Sequence, residues 1–265
     1  MKWYKGNKIY LRRVNNFLNL MGLNLRKIFC LLNLPKYIQD YFLYKKLGGK
    51  VKNFYPILED FNVSAGNIKN HLFHADLLTS QNVFKNNPSK HLDIGSRIDG
   101  VVAQIASFRK LDVFDIREID IKPHQNINFL KKDIIQNDEM HDYEKYDSIS
   151  SIGCIAHVGL GRYGDKIDPE GYKKAIKSIS NLSKNDCYVY ILTPVGNEGV
   201  EFNAHWIFNP SKIIDEFKIH NFNLEAFHLI NDEGDLELNA KLDNTKNLNF
   251  GGGYFIFKKK NLLSI

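Results

Sequence analysis

Three stretches of the chain carry residue types able to do chemistry. The first runs from His91 to Arg117. It places Asp93, Gly95, Ser96, Arg97 and Gly100 in one polar turn, and Asp115 follows 22 residues after Asp93. A carboxylate at that spacing, at the tip of a second strand, is where a ribose diol is met in nucleotide-binding α/β units. Ile116 and Arg117 come next, and Asp133-Ile134 ends a further short apolar run. The second stretch is Cys154-Ile-Ala-His157-Val-Gly159-Leu-Gly161-Arg162-Tyr163-Gly164-Asp165. Three glycines interleaved with polar side chains suit close backbone approach and hydrogen bonding to a ligand. His157 offers an imidazole that titrates in the range a general base needs. Arg162 and Tyr163 suit an anionic or sugar-like acceptor; an Arg162–Asp165 ion pair holding the loop is the competing reading. In the third stretch, 194–206, Asn203 and His205 are two residues apart and face the same way in an extended segment. His205 is therefore a second candidate base. Trp206 offers a flat apolar surface for a sugar face or for the core.

An earlier group, His71, His74 and Asp76, falls on a stretch with helical periodicity. His71 and His74 share a face while Asp76 is turned away from it, so three-point metal ligation from one straight helix is awkward. No metal site is expected. The group is read instead as a hydrogen-bonded pair that lines the mouth of a substrate pocket, with His74 and Asp76 as its substrate residues, or that merely caps the helix.

Two cofactors compete for the first stretch. A nicotinamide dinucleotide prefers three glycines at the spacing G-x-G-x-x-G, so that its pyrophosphate approaches a helix N-terminus. Here the turn is Gly95-Ser-Arg-Ile-Asp99-Gly100, with only the outer glycines, and Asp99 repels pyrophosphate. S-adenosylmethionine carries no phosphate. It needs a close backbone approach, an acid for the ribose hydroxyls and a polar group at the adenine, which Gly95, Asp115 and Asp133 offer in turn. Its sulfonium cation also favours a pocket with carboxylates. S-adenosyl-L-methionine is the expected cofactor. Asp115 and Asp133 also have a plainer reading as acids that cap turns.

Positioning these residues takes alternating strands and helices. Strands are read at 91–94 and ending at Asp115, then at 126–134, 146–152, 187–193, 223–229 and 253–257. Helices are read over 71–84, after an Asp168 N-cap with Pro169 in the first turn, and over 211–217. This order implies a parallel sheet with helices on both faces and ligands at the carboxyl ends of the strands. The last two strands lack a helix-length connection and form an antiparallel pair, with a hairpin-like excursion at 231–249.

The net charge of +6 divides unevenly. Residues 1–52 hold nine Lys and three Arg against Asp40, giving +11, and the remainder carries −5. The charge thus gives no reason to expect nucleic acid as a partner of the whole fold. Residues 9–47 read as two helical pieces broken at Pro35 and ended by Gly48-Gly49. The segment is a helical lid or dimer arm, or a basic amphipathic segment on an anionic membrane. Residues 50–66 read as a linker with a short strand. The domains expected are a basic helical segment over 1–52 and a Rossmann-like domain over 53–265. Three widely spaced cysteines suggest free thiols and a cytoplasmic setting, with the inner membrane face as a peripheral site.

The stretches His71–Leu77, Asp93–Gly100, Ala106–Arg109, Val113–Arg117, His157–Asp165, Pro194–Gly196 and Phe202–His205 together resemble a bacterial family catalogued as domain of unknown function 268. That family is itself similar to class I S-adenosylmethionine-dependent methyltransferases. The match runs from about residue 55 to 235. The resemblance implies a seven-stranded, mostly parallel Rossmann-like methyltransferase fold with an antiparallel C-terminal strand, preceded by the helical segment. It also implies surface-polysaccharide biosynthesis, with a sugar, nucleotide sugar or glycan hydroxyl as methyl acceptor. The family's pattern often has Glu where Ala156 stands and Arg where Trp206 stands. These departures motivate the alternative of a non-catalytic, methyltransferase-like scaffold in a glycan-assembly complex. The expected partners are the acceptor, a membrane surface through residues 1–52 and a second copy of the chain.

Overall fold

The computed structural model describes residues 14–66, 68–120, 122, 124–136 and 145–260. The chain divides into two compact units, Met1–Gly66 and Asn67–Ile265. The boundary lies later than the change of charge near Lys52, and packing explains why. Phe54 meets Tyr37 and Tyr41 edge-on at 5.0 and 5.5 Å, and the Asn33 side chain donates to the Leu58 carbonyl at 2.9 Å. These contacts tie the linker to the helices before it.

In the first unit the described helices are α1 (14–20), α2 (Leu25–Cys30) and α3 (Leu34–Lys46), with a 3₁₀ turn at Leu31–Asn33. Pro35 sits in the first turn of α3, as expected. A second break comes at Gly22, whose φ of 76° ends α1, so the segment has more pieces than the two read from periodicity. Residues 9–13 of the expected helix lie outside the described residues. The strand expected within 50–66 does not form; the segment holds only a 3₁₀ turn at Asp60–Asn62.

The second unit is built on one sheet. Its strands are β1 (His91–Ile94), β2 (Leu111–Asp115), β3 (Ile127–Lys131), β4 (Tyr146–Ile152), β5 (Ser183–Val195), β8 (Phe222–Ile230), β9 (Leu236–Glu237) and β10 (Gly251–Lys259). Between them, β6 (Gly199–Glu201) and β7 (His205–Ile207) pair as a separate hairpin. The order is β3-β2-β1-β4-β5-β10-β8-β9. The first five strands are parallel, and β10 runs antiparallel between β5 and β8. This is a Rossmann-like α/β fold. The sheet has eight strands where seven were expected, because the polar excursion pairs two of its residues with the end of β8.

Successive residues of the central strands serve opposite faces. Val189 and Ile191 join Phe255 and Phe257 under α6 (Gly171–Leu182) and α7 (Pro210–Ile219), against Tyr172, Ile176, Ile179 and Phe217. Tyr190, Leu192, Tyr254 and Ile256 point the other way. They pack with Ala75 and Val83 of α4 (His71–Asn86) and with Val101, Val102 and Ile105. Val101 and Val102 lie on a π turn, Ile98–Val102, and Ile105 on α5 (Ala103–Ala106), into which the turn runs. Fully burying an aliphatic or aromatic side chain is worth about 1.5–3 kcal/mol, so both layers fix the sheet. Helix α6 starts three residues after the expected cap. Asp168 instead accepts the Glu170 N–H at 2.9 Å and binds the Lys174 ammonium, which closes a turn ahead of the helix.

Candidate functional site

At the carboxyl ends of the strands, residues from 94–97, 114–117, 132–134 and 152–165 surround a cavity of about 340 Å³. The turn after β1 is pinned from three sides. The Gly95 N–H donates to the Phe114 carbonyl at 2.8 Å, which joins the turn to β2. Ser96 gives its N–H and hydroxyl to the two Asp93 oxygens at 3.1 and 2.8 Å, and the same hydroxyl accepts the Ile152 N–H at 2.9 Å. Gly95 has φ +65°, and a Cβ there would strike the Cys154 side chain. Only glycine lets backbone form this part of the cavity wall.

Asp93 is fully buried beneath that turn. It receives a further hydrogen bond from Ser150, whose hydroxyl also lies 3.1 Å from His91 Nε2. Burial raises Asp93 to about 6, and the hydrogen bonds from Ser150 and Ser96 oppose the shift. Asp93 and Ser96 therefore hold the turn from behind and do not line the cavity. Gly100 lies outside the lining as well. An added Cβ there would approach Asp76 at 2.7 Å. Asp76 is raised to about 7, first by burial and then by the charge of Asp93. Arg97 lines the cavity and forks onto Asp99 at 2.9 and 2.5 Å.

Asp115 and Asp133 both line the cavity, together with Ile116, Arg117 and Ile134. Each also caps a turn, so the two readings of these acids are not exclusive. Asp115 Oδ1 accepts the Arg117 N–H at 2.9 Å, and Asp133 Oδ1 accepts the Ile135 N–H at 3.0 Å. The Arg117 guanidinium forks onto Asp115 at 2.9 and 2.6 Å and lies 4.6 Å from the Tyr163 ring. Asp115 is 8% exposed, and this ion pair offsets the cost of burying its charge.

The opposite wall is the loop after β4. Gly159, Gly161 and Gly164 all have positive φ, and a Cβ at Gly159 would collide with the Asp168 carbonyl. Asp165 staples the loop from within. It accepts the Gly159, Gly161 and Tyr163 N–H groups at 2.8, 3.2 and 3.2 Å. Arg162 turns elsewhere and donates to the Ala204 carbonyl at 2.8 Å, so the alternative of an Arg162–Asp165 pair gives way to a backbone staple.

His157 lines the cavity, and its Nδ1 lies 2.7 Å from the same Ala204 carbonyl. Arg162 Nη1, a donor only, is 3.3 Å from the same Nδ1. The carbonyl is nearer and only accepts, so Nδ1 is assigned the proton, Arg162 gives its hydrogen to the carbonyl, and Nε2 keeps the basic lone pair. Burial, followed by the charge of Arg162, lowers this imidazole to about 4. His157 is therefore neutral at pH 7, and it titrates well below the range expected from its residue type, because burial and Arg162 disfavour its charged form. His205 lies behind it, with ring centres 6.4 Å apart, 4.7 Å from the Phe250 ring and 3.7 Å from a Glu201 oxygen. Neither His205 nor Asn203 lines the cavity. His74 is also outside, with its Nε2 3.1 Å from the Gly234 carbonyl, and Asp76 sits behind the first turn.

Leu72, Phe114, Lys132 and Cys154 also line the cavity and were not singled out from sequence. Phe114 and Lys132 each precede a named acid, which was an available signal. Leu72 arrives from α4 and has no local signal. The Cys154 thiol is pushed up to about 12, chiefly by burial, and stays protonated. Ala156 is fully buried in the core, and Trp206 packs 5.8 Å from Phe208 and 5.6 Å from Tyr172.

Residues 110–259 match the family model described as "Caenorhabditis protein of unknown function, DUF268". The matched segment holds Asp115, Asp133 and the His157–Asp165 loop. It begins after the Asp93–Gly100 turn, and its description names Caenorhabditis rather than bacteria. No curated protein matches the chain. Among solved structures, the [4+2]-cyclase SpnF is 12% identical with a TM-score of 0.52, over 84% of this chain and 94% of that one. A 1,6-didemethyltoxoflavin-N1-methyltransferase from Burkholderia thailandensis, solved with S-adenosylhomocysteine, is 12% identical with a TM-score of 0.49, over 73% and 80%. An S-adenosylmethionine-dependent methyltransferase from Clostridium acetobutylicum is 12% identical with a TM-score of 0.47, over 85% and 99%.

Proposed function

We propose that this chain, which belongs to the DUF268 family, is an S-adenosylmethionine-dependent methyltransferase. Its acceptor in this reading is a hydroxyl of a sugar, nucleotide sugar or glycan, and its setting is surface-polysaccharide biosynthesis. One observation carries the reading: the carboxylates Asp115 and Asp133 share a cavity wall with the bare backbone of Gly95. That donor set fits a phosphate-free, cationic ligand with a ribose diol. Asp115 would hold the ribose hydroxyls, Asp133 with Ile134 the adenine, and Gly95 the methionine part. Bound there, the donor supplies an electrophilic methyl group.

The chain's own residues do the rest. Arg162 and Tyr163, at the exposed end of the loop, orient the acceptor. His157 Nε2 takes the hydroxyl proton as the oxygen forms its new bond, and the Ala204 carbonyl keeps the imidazole in the required tautomer. The low basicity of His157 suits proton removal concerted with transfer, not formation of a free alkoxide beforehand. The scaffold alternative draws no support from Ala156 and Trp206. Ala156 is buried in the core, Trp206 is half-buried against it, and neither lines the cavity, so the departures leave its polar groups in place.

Isothermal titration of the full chain with S-adenosylmethionine and S-adenosylhomocysteine tests the reading. Saturable binding is expected for both. Absence of heat at millimolar ligand would overturn it.

A further inference from the structure

In the first unit no residue whose exposure is described is buried. Large apolar side chains stand open along its helices: Phe17 is 63% exposed, Leu20 84%, Leu32 79%, Phe42 63% and Leu47 79%. On α3 the rings of Tyr37 and Tyr41 pack against Phe54, while Ile38 and Phe42 remain exposed. Exposed lysines flank them, namely Lys27, Lys36, Lys45, Lys46, Lys50 and Lys52. Asp40 is the sole acid of residues 1–52, and Lys36 already holds it at 2.8 Å.

We propose that residues 14–52 dock on the surface of an anionic lipid bilayer. The proposal goes beyond the activity proposed above and does not depend on it. Apolar side chains would enter the acyl boundary while lysine stems reach the headgroups, which satisfies both kinds of exposed group at once. Nucleic acid would neutralise the lysines but leave Phe17, Leu20 and Leu47 in water. A second copy would cover the apolar groups but oppose +11 with +11. The docking is peripheral, since no described helix is long and apolar enough to cross a membrane.

Co-sedimentation of the full chain with vesicles tests this. Vesicles of phosphatidylcholine with about a third phosphatidylglycerol should retain the protein. Pure phosphatidylcholine should retain little, and added salt should release it. At about fivefold per lysine, the triple variant K45Q/K46Q/K50Q should partition about a hundredfold more weakly. F17S/L20S, which leaves the charge intact, should weaken partitioning by about tenfold or more at the same thermal melting temperature. Equal binding to neutral and anionic vesicles, or none to either, would overturn the proposal. So would a salt-sensitive complex with duplex DNA or RNA that survives F17S/L20S, or a dimer in ultracentrifugation that F17S/L20S abolishes.

Discussion

On one side of the cavity, Asp115 closes a strand that is hydrogen-bonded to neighbours on both edges, and Asp133 lies two residues beyond the edge strand beside it. On the other side, His157, Arg162 and Tyr163 stand on a loop with three glycines at positive φ. The first side is placed by the sheet ladder. The second is placed by a few local bonds: Asp165 to three backbone amides, and the Ala204 carbonyl to His157 and Arg162. A strand tip can change its side chain and keep its place. A loop held by one carboxylate and one hairpin carbonyl has its geometry bound up with its chemistry. Under the proposed function, the sheet ladder holds the donor side and the loop holds the acceptor side.

The largest effect that would sharpen this contrast is H157A. It should lower kcat by about 10²–10⁴-fold, the usual loss for a general base, and leave donor affinity unchanged in calorimetry. An equal loss of donor binding would merge the two sides. The next is D115A, which should weaken donor binding by about ten- to a hundredfold. That corresponds to about 1.5–3 kcal/mol for hydrogen bonds to a charged group. With donor saturating, its kcat should stay close to that of the parent; a collapse of kcat would break the comparison.

The smallest effect is read from the pH profile. His157 must be neutral to accept a proton, and its imidazole lies at about 4. Activity should therefore hold from neutrality down to about pH 5 and fall tenfold per unit below pH 4. Arg162 is the second cause of that depression, after burial. R162Q should therefore move the acid limb upward, by less than one unit because burial remains. A normalised kcat profile measured between pH 3.5 and 8 checks the sign; a limb that stays put or moves down would detach Arg162 from the base.

Some of this was plain in the chain. The strand-end acids, the glycine-rich loop and the helix after Pro169 follow from residue type and period; Asp93 and Asp115 fall in their strands, whereas β3 stops at Lys131 and leaves Asp133 two residues beyond it. Burial separated the three acids. Asp93 sits in β1 and faces Ser96 and Ser150, whereas Asp115 and Asp133 face the cavity. Spacing along a strand does not say on which side of a turn a carboxylate ends. His74, Asp76, Asn203 and His205 were credible by type, but their places depend on α4 and on the β6–β7 hairpin, a sheet that no local pattern announced.

The sequence by itself determined the succession of the seven longer strands and the turn with only its outer glycines. It also set the two candidate histidines and the charge of residues 1–52. Local sterics, hydrophobic period and charge need no tertiary partner to be read. Only the tertiary structure decided that His157, not His205, reaches the cavity, and which of its nitrogens holds the proton. That choice rests on the Ala204 carbonyl, brought beside the ring from 47 residues away. A contact of that kind exists only after the chain has folded.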